Sequence, residues 1–225
     1  MKNPIFVGLD TSDLDTAVAL ATAVRPHVGG LKLGLQFFMA NGPAGGRVMA
    51  ELGLPLFLDV KLHDIPNTVA GALRSLASLR LYMVNVHAGG GSAMLAAARD
   101  ACPAATKLIA VTVLTSLDDE DLGTVGVGDG AAAQVARLAG LARSAGLDGV
   151  VASPHEVAGL SAAWPGGEFV IPGIRPAGAA MGDQKRTMTP AAALAAGATM
   201  LVIGRPITDA PDAAAAAAAI AESLS

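Results

Sequence analysis

An apolar run that changes abruptly into charge stands at Phe57-Leu58-Asp59-Val60-Lys61-Leu62-His63-Asp64-Ile65-Pro66-Asn67-Thr68. The apolar start predicts a buried β-strand, and Pro66 predicts a turn after it. Because side chains alternate along a strand, Asp59 and Lys61 should point to the same face. Charge at the end of a buried strand is costly unless it is paired. The stretch therefore predicts a strand whose end carries acid, base and acid in a small volume, formed by Asp59, Lys61 and Asp64.

Seven more apolar runs of this kind occur along the chain, and most are separated by Ala-rich segments with helical periodicity. The eight predicted strands are Ile5–Leu9, Gly30–Gly34, Leu56–Val60, Met83–His87, Leu108–Leu114, Gly149–Ala152, Phe169–Ile171 and Met200–Ile203. Strand and helix alternate, which predicts a parallel sheet. Eight repeats in 225 residues predict a (β/α)8 barrel, the TIM barrel, as a single α/β domain over residues 1–225. A doubly wound open sheet is the alternative fold, but no GxGxxG motif follows the first strand.

Composition limits the partners and the compartment. The net charge of −4 gives no electrostatic reason to expect nucleic acid or an anionic membrane as a partner. Cys102 is the only cysteine, which excludes an internal disulfide or a metal–thiolate cluster and fits the reducing cytoplasm. We expect no secretory signal at residues 1–4. The uncharged stretch Thr187–Gly204 is broken by Pro190 and Gly197, so we expect a helix, a turn and a strand rather than a membrane span.

Polar and charged residues collect at one end of the predicted strands. They are Asp10, Lys32, Asp59, Lys61, Asn85, His87, Thr115, Ser116, Ser153, Arg175 and Arg205. In a (β/α)8 barrel the carboxyl ends of the strands form one rim, and active sites lie there. The opposite ends of the strands carry fewer polar and charged residues, and a random distribution would not show this bias. The sequence therefore predicts an active site at the carboxyl-terminal rim of the barrel.

The loops after the last two strands indicate an anion site. Arg175 follows the seventh strand, and Gly204 and Arg205 follow the eighth, where barrels of this kind often bind phosphate. Gly204 lets the backbone approach an anion, and an arginine fork matches the geometry of phosphate. The alternative is that both arginines lie on the surface and pair with acids, but their shared position favours phosphate. We expect the loop Arg175–Arg186 to be a lid that closes over it.

The motif Asp59-Val60-Lys61-Leu62-His63-Asp64-Ile65-Pro66-Asn67-Thr68 resembles the signature of the orotidine 5'-monophosphate decarboxylase family. Other motifs match this family in its order and at compatible spacing: Gly8-Leu9-Asp10, Leu31-Lys32-Leu33-Gly34, Val84-Asn85-Val86-His87-Ala88, Val113-Leu114-Thr115-Ser116, Pro172-Gly173-Ile174-Arg175, Asp183-Gln184-Lys185-Arg186 and Val202-Ile203-Gly204-Arg205. The resemblance covers nearly the whole chain. It is more specific than DxKxxD alone, which related sugar-phosphate decarboxylases and aldolases share. One departure is Leu79-Arg80-Leu81, where family members usually carry a glycine at the turn before the fourth strand.

The resemblance implies conversion of orotidine 5'-monophosphate to uridine 5'-monophosphate (UMP), the last step of de novo UMP synthesis. It implies the catalytic residues Lys61, Asp59, Asp64 and Lys32, with Lys61 as the proton donor to C6 of the pyrimidine. It implies the substrate-binding residues Asp10, Lys32, Asp59, Thr68, Thr115, Ser116, Pro172, Arg175, Gln184, Gly204 and Arg205. Asp10 would bind ribose hydroxyls, and Gln184 would bridge the base and the phosphate. The family also implies a homodimer in which Asp64 and Thr68 reach the partner's site.

Decarboxylation of this substrate leaves an electron pair in an sp2 orbital at C6, without a conjugated sink. The family uses neither a cofactor nor a metal, and the sequence has no obvious metal-ligand cluster, since His63 and His87 alone are weak indications of zinc. Fixed charge must then stabilise the carbanion. Lys61 can do this as an ammonium group and then deliver its proton, while flanking carboxylates keep it protonated. We therefore expect a decarboxylase that needs no cofactor and binds no metal.

Several alternatives stay open at this point. Asp59 and Lys61 could be a structural ion pair, although Lys32 and Asp64 at the same rim favour catalysis. Asp10 could cap the helix that follows it. The chain could be a metal-dependent sugar-phosphate decarboxylase or aldolase, which EDTA would inhibit. It could also be an inactive phosphate-ligand binder, although such a protein has no need to maintain buried charge.

Overall fold

The computed structural model describes residues 3–176 and 187–224, and its strands form one closed parallel barrel. The strands are β1 (Ile5–Leu9), β2 (Gly30–Gly34), β3 (Leu56–Leu62), β4 (Met83–His87), β5 (Lys107–Val111), β6 (Gly149–Val151), β7 (Glu168–Ile171) and β8 (Met200–Ile203). Each strand pairs with the next in sequence, and β8 closes the barrel on β1 through pairs such as Ile5 with Leu201. The predicted (β/α)8 barrel is therefore confirmed, and the open-sheet alternative is wrong.

Helices connect the strands and cover the outside of the barrel. They are α1 (Leu14–Val24), α2 (Leu35–Glu51), α3 (Pro66–Leu76), α4 (Gly91–Ala101), α5 (Asp119–Thr124), α6 (Gly130–Ser144), α7 (Val157–Ala163), α8 (Pro190–Ala195), α9 (Arg205–Thr208) and α10 (Ala213–Glu222). Pro66 opens α3 at a position where the missing N–H is not needed. Among the helices of residues 3–176 and 187–224, none is both long and apolar enough to cross a membrane.

Two strands end more than one residue away from their predicted ends. β3 continues to Leu62, whereas the prediction ended it at Val60. β5 ends at Val111, whereas the prediction extended it to Leu114. The chain turns away from the sheet there, because the backbone N–H of Leu117 donates to the carbonyl of Leu114 at 3.0 Å. Both differences lie at the carboxyl-terminal rim, where the loops of the predicted site begin.

Two layers of apolar side chains support the barrel. One fills its interior and consists of Phe6, Phe57, Met83, Ile109, Val170 and Met200, each at most 1% exposed. The other lies between the strands and the helices, as alternation along each strand requires. Gly30 leaves room for the interior layer, since a Cβ there would come within 2.4 Å of Phe6 Cε1. Because the interior is filled, a ligand can bind at the rim but cannot enter the barrel deeply.

The departure at Leu79-Arg80-Leu81 lies in the turn before β4. A 3-10 turn, Ala77–Leu79, ends at Arg80, which has φ 47° and ψ 49°, in the left-handed region. This conformation costs a residue that has a Cβ about 1–2 kcal/mol, and glycine adopts it without that strain. The geometry of the turn therefore suits glycine, and Arg80 adopts it under strain.

Arg80→Gly should increase the free energy of unfolding by about 0.5–1 kcal/mol, because relief of the strain exceeds the extra freedom of glycine in the unfolded chain. Arg80→Ala is the matched control, since it removes the same exposed side chain and charge but keeps the Cβ. It should give no gain. Urea unfolding of the three proteins measures the difference. Equal stability of the two variants would show that the turn is not strained.

Candidate active site

Four side chains of alternating charge lie at the carboxyl ends of β1, β2 and β3. Lys32 Nζ lies 2.6 Å from Asp10 Oδ1 and 3.8 Å from Asp59 Oδ2. Lys61 Nζ lies 2.7 Å from Asp59 Oδ1. The order is therefore Asp10, Lys32, Asp59 and Lys61, and we call this set the charged array. The side chains of Lys32 and Asp59 are 8% and 16% exposed, whereas those of Lys61 and Asp10 are 29% and 57% exposed, so the two middle groups of the array are the most buried.

Asp10 belongs to the charged array and not to the helix that follows it. The side chain that caps α1 is that of Asp13, whose Oδ1 accepts a hydrogen bond from Thr16 N at 2.6 Å. The alternative role of Asp10 as a helix cap is therefore wrong. Gly34 leaves space for the Asp10–Lys32 pair, because a Cβ at Gly34 would lie 2.7 Å from Asp10 Oδ1 and 2.9 Å from Lys32 Nζ.

The electrostatics of the array centre on Asp59. Burial acts to raise the pKa of its carboxyl, but the charges of Lys61 and Lys32, with hydrogen bonds from Lys61 and Asn85, lower the pKa by more. The net pKa lies below the ordinary value of aspartate, so Asp59 is ionised at neutral pH. Because its pKa is depressed by folding, Asp59 contributes stability above the ordinary aspartate pKa of about 3.9, and this contribution is lost as the pH falls through the lowered value.

The backbone at Lys61 departs from that of an ordinary strand. Lys61 has φ 51°, in the left-handed region, and the register between β3 and β4 shifts between Leu58 and Leu62. Asn85 of β4 lies opposite this irregularity. Its Oδ1 accepts a hydrogen bond from Lys61 N at 2.8 Å, and its Nδ2 donates one to Asp59 Oδ1 at 2.7 Å. The same-face prediction for the two charged side chains is confirmed, but an irregular strand produces it.

The sequence places Asn85 at the rim but assigns it no role, whereas the structure brings it into contact with both Asp59 and Lys61. Asn85 is fully buried. The available signal was a lone amide inside the apolar strand Met83–His87. A buried amide needs hydrogen-bond partners, and the partners are here supplied by Asp59 and Lys61.

A cavity of about 190 Å³ opens beside the array. Its lining consists of Phe57, Asp59, Lys61, Val111, Val113, Leu114, Thr115, Val151, Val170, Pro172 and Val202. Thr115 and Pro172, both predicted to contact substrate, thus lie beside the charged pair, whereas Ser116 is exposed and is not part of the lining. Charge in an otherwise apolar cavity acts more strongly than it would in water. A larger cavity of about 400 Å³, between α6 and α7, shares no residue with the array.

Arg175 and Arg205 follow β7 and β8, the last two strands of the barrel. Burial lowers the pKa of the Arg175 guanidinium, and the nearby positive charge of Arg205 lowers it further. Gly204 leads directly into Arg205, and a Cβ at Gly204 would lie 3.9 Å from Asp10 Oδ2, so this region adjoins the charged array. An arginine after each of the last two strands suits binding of an anion, and the anion site stays a prediction.

Asp64 and Thr68 lie on the outer rim rather than in the array. Both are exposed, and Asp64 Oδ1 accepts a hydrogen bond from Ile65 N at 2.7 Å. Among the ion pairs of the described residues, none involves Asp64. Ile65 beside it is 68% exposed, and Met39 on the neighbouring α2 is 73% exposed. A single chain thus brings together two members of the predicted acid–base–acid cluster, and the role of Asp64 stays a prediction.

Gln184 and most of the predicted lid lie outside the described residues. His63 and His87 form a tilted ring pair with centroids 5.4 Å apart. Burial lowers the pKa of His87, and the neighbouring His63 and Lys61 lower it further against the effect of Asp59. Within the part of the chain that the structure describes, no group of three or more His, Cys, Asp or Glu residues is arranged to hold a metal ion.

Comparison with known proteins gives matches over nearly the whole chain. Residues 3–220 match the model of the Orotidine 5'-phosphate decarboxylase / HUMPS family. An orotidine 5'-phosphate decarboxylase from Novosphingobium aromaticivorans is 58% identical over 224 residues, which cover 100% of both chains. Another, from Sphingopyxis alaskensis, is 57% identical over 212 residues, 94% of this chain and 95% of the relative. The crystal structure of orotidine 5'-phosphate decarboxylase from Lactobacillus acidophilus has a TM-score of 0.86 at 36% identity, with 99% of each chain covered.

The fold and the site define an enzyme of the (β/α)8-barrel class with a charged site at its carboxyl-terminal rim. The matches narrow this class further. The chain belongs to the orotidine 5'-phosphate decarboxylase / HUMPS family. This confirms the resemblance that the motif from Asp59 to Thr68 first indicated, while the role of each site residue stays a prediction.

Proposed function

We propose that the protein catalyses the cofactor-independent decarboxylation of orotidine 5'-monophosphate to UMP, the last step of de novo UMP synthesis. The observation that carries this proposal is the Lys61 ammonium group, which lies 2.7 Å from Asp59 at the edge of a largely apolar cavity. Relatives that bear the name of this enzyme, at 57% and 58% identity, support it. The low cysteine content supports a cytoplasmic location.

The proposed reaction breaks the bond between C6 and the carboxylate, and the electron pair stays on C6 while CO2 leaves. Lys61 is the group that stabilises this pair, because its ammonium charge is already in place when the charge develops. Lys61 Nζ–H then gives its proton to C6, which yields UMP and a neutral amine. The amine regains a proton from solvent, so no electron acceptor and no second substrate are needed.

Asp59 and Lys32 are proposed to keep the proton donor charged and correctly aimed. Asp59 holds Lys61 at 2.7 Å through one carboxylate oxygen, and Lys32 lies 3.8 Å from the other oxygen. A carboxylate fixed in this way restricts both ammonium groups to one side of the site. Asp10, paired with Lys32 at 2.6 Å, is more exposed, and its free oxygen suits the ribose hydroxyls of a nucleotide.

The phosphate of the substrate is proposed to bind at Arg175, Gly204 and Arg205. Support comes from the position of the two arginines directly after the last two strands and from the small residue at position 204, which lies beside Asp10. Binding energy from a distant phosphate can hold the reacting carbon against the array, since it is available in the transition state as well as in the ground state. Gln184, by its place in the motif, would join the phosphate to the base.

A homodimer is proposed to complete the site. Asp64 and Thr68 are exposed at the rim, and Ile65, which lies between them in the sequence, presents an exposed apolar side chain, which suits contact with a second copy. Asp64 of one subunit would then face Lys61 of the other. The two carboxylates, Asp59 and Asp64, would flank the ammonium group from opposite chains.

Lys61→Ala should reduce kcat on orotidine 5'-monophosphate by at least about 10⁴-fold, because it removes both the fixed charge and the proton donor. Affinity for UMP should be largely retained. The loss of substrate ultraviolet absorbance measures turnover, and the wild-type reaction should proceed equally in the presence of EDTA. Substantial turnover by the variant would remove Lys61 from the donor role, and absence of wild-type turnover would overturn the proposed function itself.

Arg205→Ala should lower kcat/KM by about 10²–10³-fold although Arg205 does not contact C6, because a charged partner of the phosphate is lost. Arg137→Ala is the matched control: Arg137 is an exposed arginine on α6 that pairs with Asp129 at 2.6 Å. It should leave kcat/KM unchanged. Steady-state kinetics on the same substrate compare the two. A decrease of only a few-fold at Arg205 would contradict the phosphate role.

An equimolar mixture of Lys61→Ala and Asp64→Ala chains should recover about a quarter of wild-type activity after subunit exchange. Half of the dimers would be mixed, and each mixed dimer would contain one intact site. A mixture of Lys61→Ala with Asp59→Ala should recover nothing, because these two residues serve the same site from the same chain. Subunit exchange is checked with two differently tagged chains. Equal activity of the two mixtures would refute the shared site.

A further inference from the structure

We propose that Asn85 is a positioning residue: it holds the left-handed backbone of Lys61 and the carboxylate of Asp59 in one fixed relation, and so aims the proton donor. The inference rests on the proposed role of Lys61. Asn85 lies on β4, so the aim of a side chain on β3 is set from the neighbouring strand.

The strand register places Asn85 opposite an insertion in β3. Leu58 pairs with Val84 and Leu62 pairs with Val86. Between these two pairs β3 has the three residues 59–61, whereas β4 has only Asn85. The extra residues form a bulge, and bulges redirect side chains at functional rims. The bulge in β3 therefore coincides with the left-handed backbone at Lys61, the residue that pairs with Asp59.

The bulge leaves a polar group that requires a partner. The N–H of Lys61 cannot make a regular ladder bond while the register shifts, and an unpaired buried N–H is unfavourable. Asn85 Oδ1 accepts this N–H at 2.8 Å. The hydrogen bond thus compensates for the φ of 51° at Lys61, a conformation that a side chain with a Cβ adopts only when its surroundings enforce it.

The amide nitrogen of Asn85 fixes the other half of the pair. Asp59 Oδ1 accepts hydrogen bonds from Lys61 Nζ and from Asn85 Nδ2, each at 2.7 Å. The carboxylate is thereby prevented from rotating, with Oδ1 toward Lys61 and Oδ2 toward Lys32. Both hydrogen-bonding functions of the amide are used within a single lysine–aspartate pair.

The two hydrogen bonds of Asn85 satisfy its buried amide, but they do not explain why this position carries an amide at all. Met83, Asn85 and His87 alternate on one face of β4, and Met83 belongs to the apolar interior layer. An aliphatic side chain of the same size would therefore suit the position as packing. A residue kept only for packing would influence stability, whereas a positioning residue would also influence kcat and its pH dependence.

Asn85→Leu tests the proposal, because leucine has the same branching of its side-chain heavy atoms and neither polar function. We expect kcat to fall by about 10²-fold, since a small misplacement of a reacting group has this effect, while the affinity for UMP stays close to wild type. Loss of the donor raises the pKa of Asp59, so the acid limb of the kcat profile should move to higher pH.

Asn85→Asp provides a second variant with the opposite pH dependence. Two adjacent carboxyl groups share a proton, and the protonated introduced carboxyl can donate to Asp59 while its carbonyl oxygen accepts the N–H of Lys61. Its kcat should therefore approach wild type at acid pH and fall as the pH rises. This variant also decides the matter if Asn85→Leu does not fold.

Thr106→Val is the matched control for loss of a buried hydrogen bond. Thr106 is 7% exposed and its Oγ1 donates to the carbonyl of Leu81 at 2.9 Å, before the start of β5 and far from the rim. The Thr106→Val substitution should lower the melting temperature without altering kcat or its pH dependence. If Asn85→Leu behaves like Thr106→Val, with a changed melting temperature and unchanged kcat and acid limb, Asn85 is a packing residue and the proposal is refuted.

A crystal structure of Asn85→Leu separates this inference from the proposed function. Lys61 should leave the left-handed region, and its Nζ should move away from Asp59 Oδ1. Retention of φ near 51° and of the 2.7 Å pair would refute the positioning role whatever reaction the enzyme catalyses. A wild-type enzyme without turnover would instead refute the proposed function and leave this structural outcome to decide the inference.

Discussion

Asp59 lies mostly buried between two ammonium groups, and the geometry of the site depends on that arrangement. A buried carboxylate is strongly unfavourable unless charge and hydrogen bonds compensate for it. Lys61, Lys32 and the amide of Asn85 provide this compensation. With Asp10 on the outer side of Lys32, the array contains two negative and two positive charges and has no net charge. Each member of the array therefore lies within 3.8 Å of a group of opposite charge.

Closure of the barrel determines which parts of the chain meet at this array. Because β8 pairs with β1, the residues after the last strand adjoin Asp10 from the first. Gly204 therefore lies beside the carboxylate end of the array, with Arg205 directly after it. An open sheet would have separated these segments by its full width. The closed parallel fold thus places a region suited to an anion next to a region suited to charge stabilisation.

The strands and the rim residues could be predicted from the sequence because they depend on local patterns. Apolar runs with polar ends identify strands whose ends share one edge, and this reasoning brought together Asp10, Lys32, Asp59 and Lys61. The left-handed backbone at Lys61 could not be predicted in the same way. It depends on the register between β3 and β4, which is a relation between strands, and no single run of residues contains it.

The contrast between local sequence patterns and contacts between distant segments also explains where the structure differs from the sequence-based expectations at Asp10 and Arg80. The helix cap at Asp13 rather than Asp10 depends on where the chain leaves the barrel, and Asp10 was already occupied by Lys32 from another strand. The strained turn at Arg80 was visible in the sequence only as the absence of an expected glycine. Its φ of 47° lies in the left-handed region that favours glycine, and no pattern within the sequence shows this backbone conformation.

The size of a single charge–charge interaction, compared with the barrier lowering that the proposed reaction requires, shows why the site needs several preorganised groups. Two unit charges about 4 Å apart interact by about 4 kcal/mol at an effective dielectric constant of about 20. Enzymes lower barriers by roughly 8–23 kcal/mol, and a carbanion without an electron sink requires the upper part of that range. One ammonium group is therefore insufficient. The remainder must come from charges that need no reorganisation as the reaction proceeds and from binding energy gained far from the reacting carbon. In the proposed reaction, the fixed pair of Lys61 and Asp59 would supply the first contribution, and phosphate bound at Arg175 and Arg205 would supply the second.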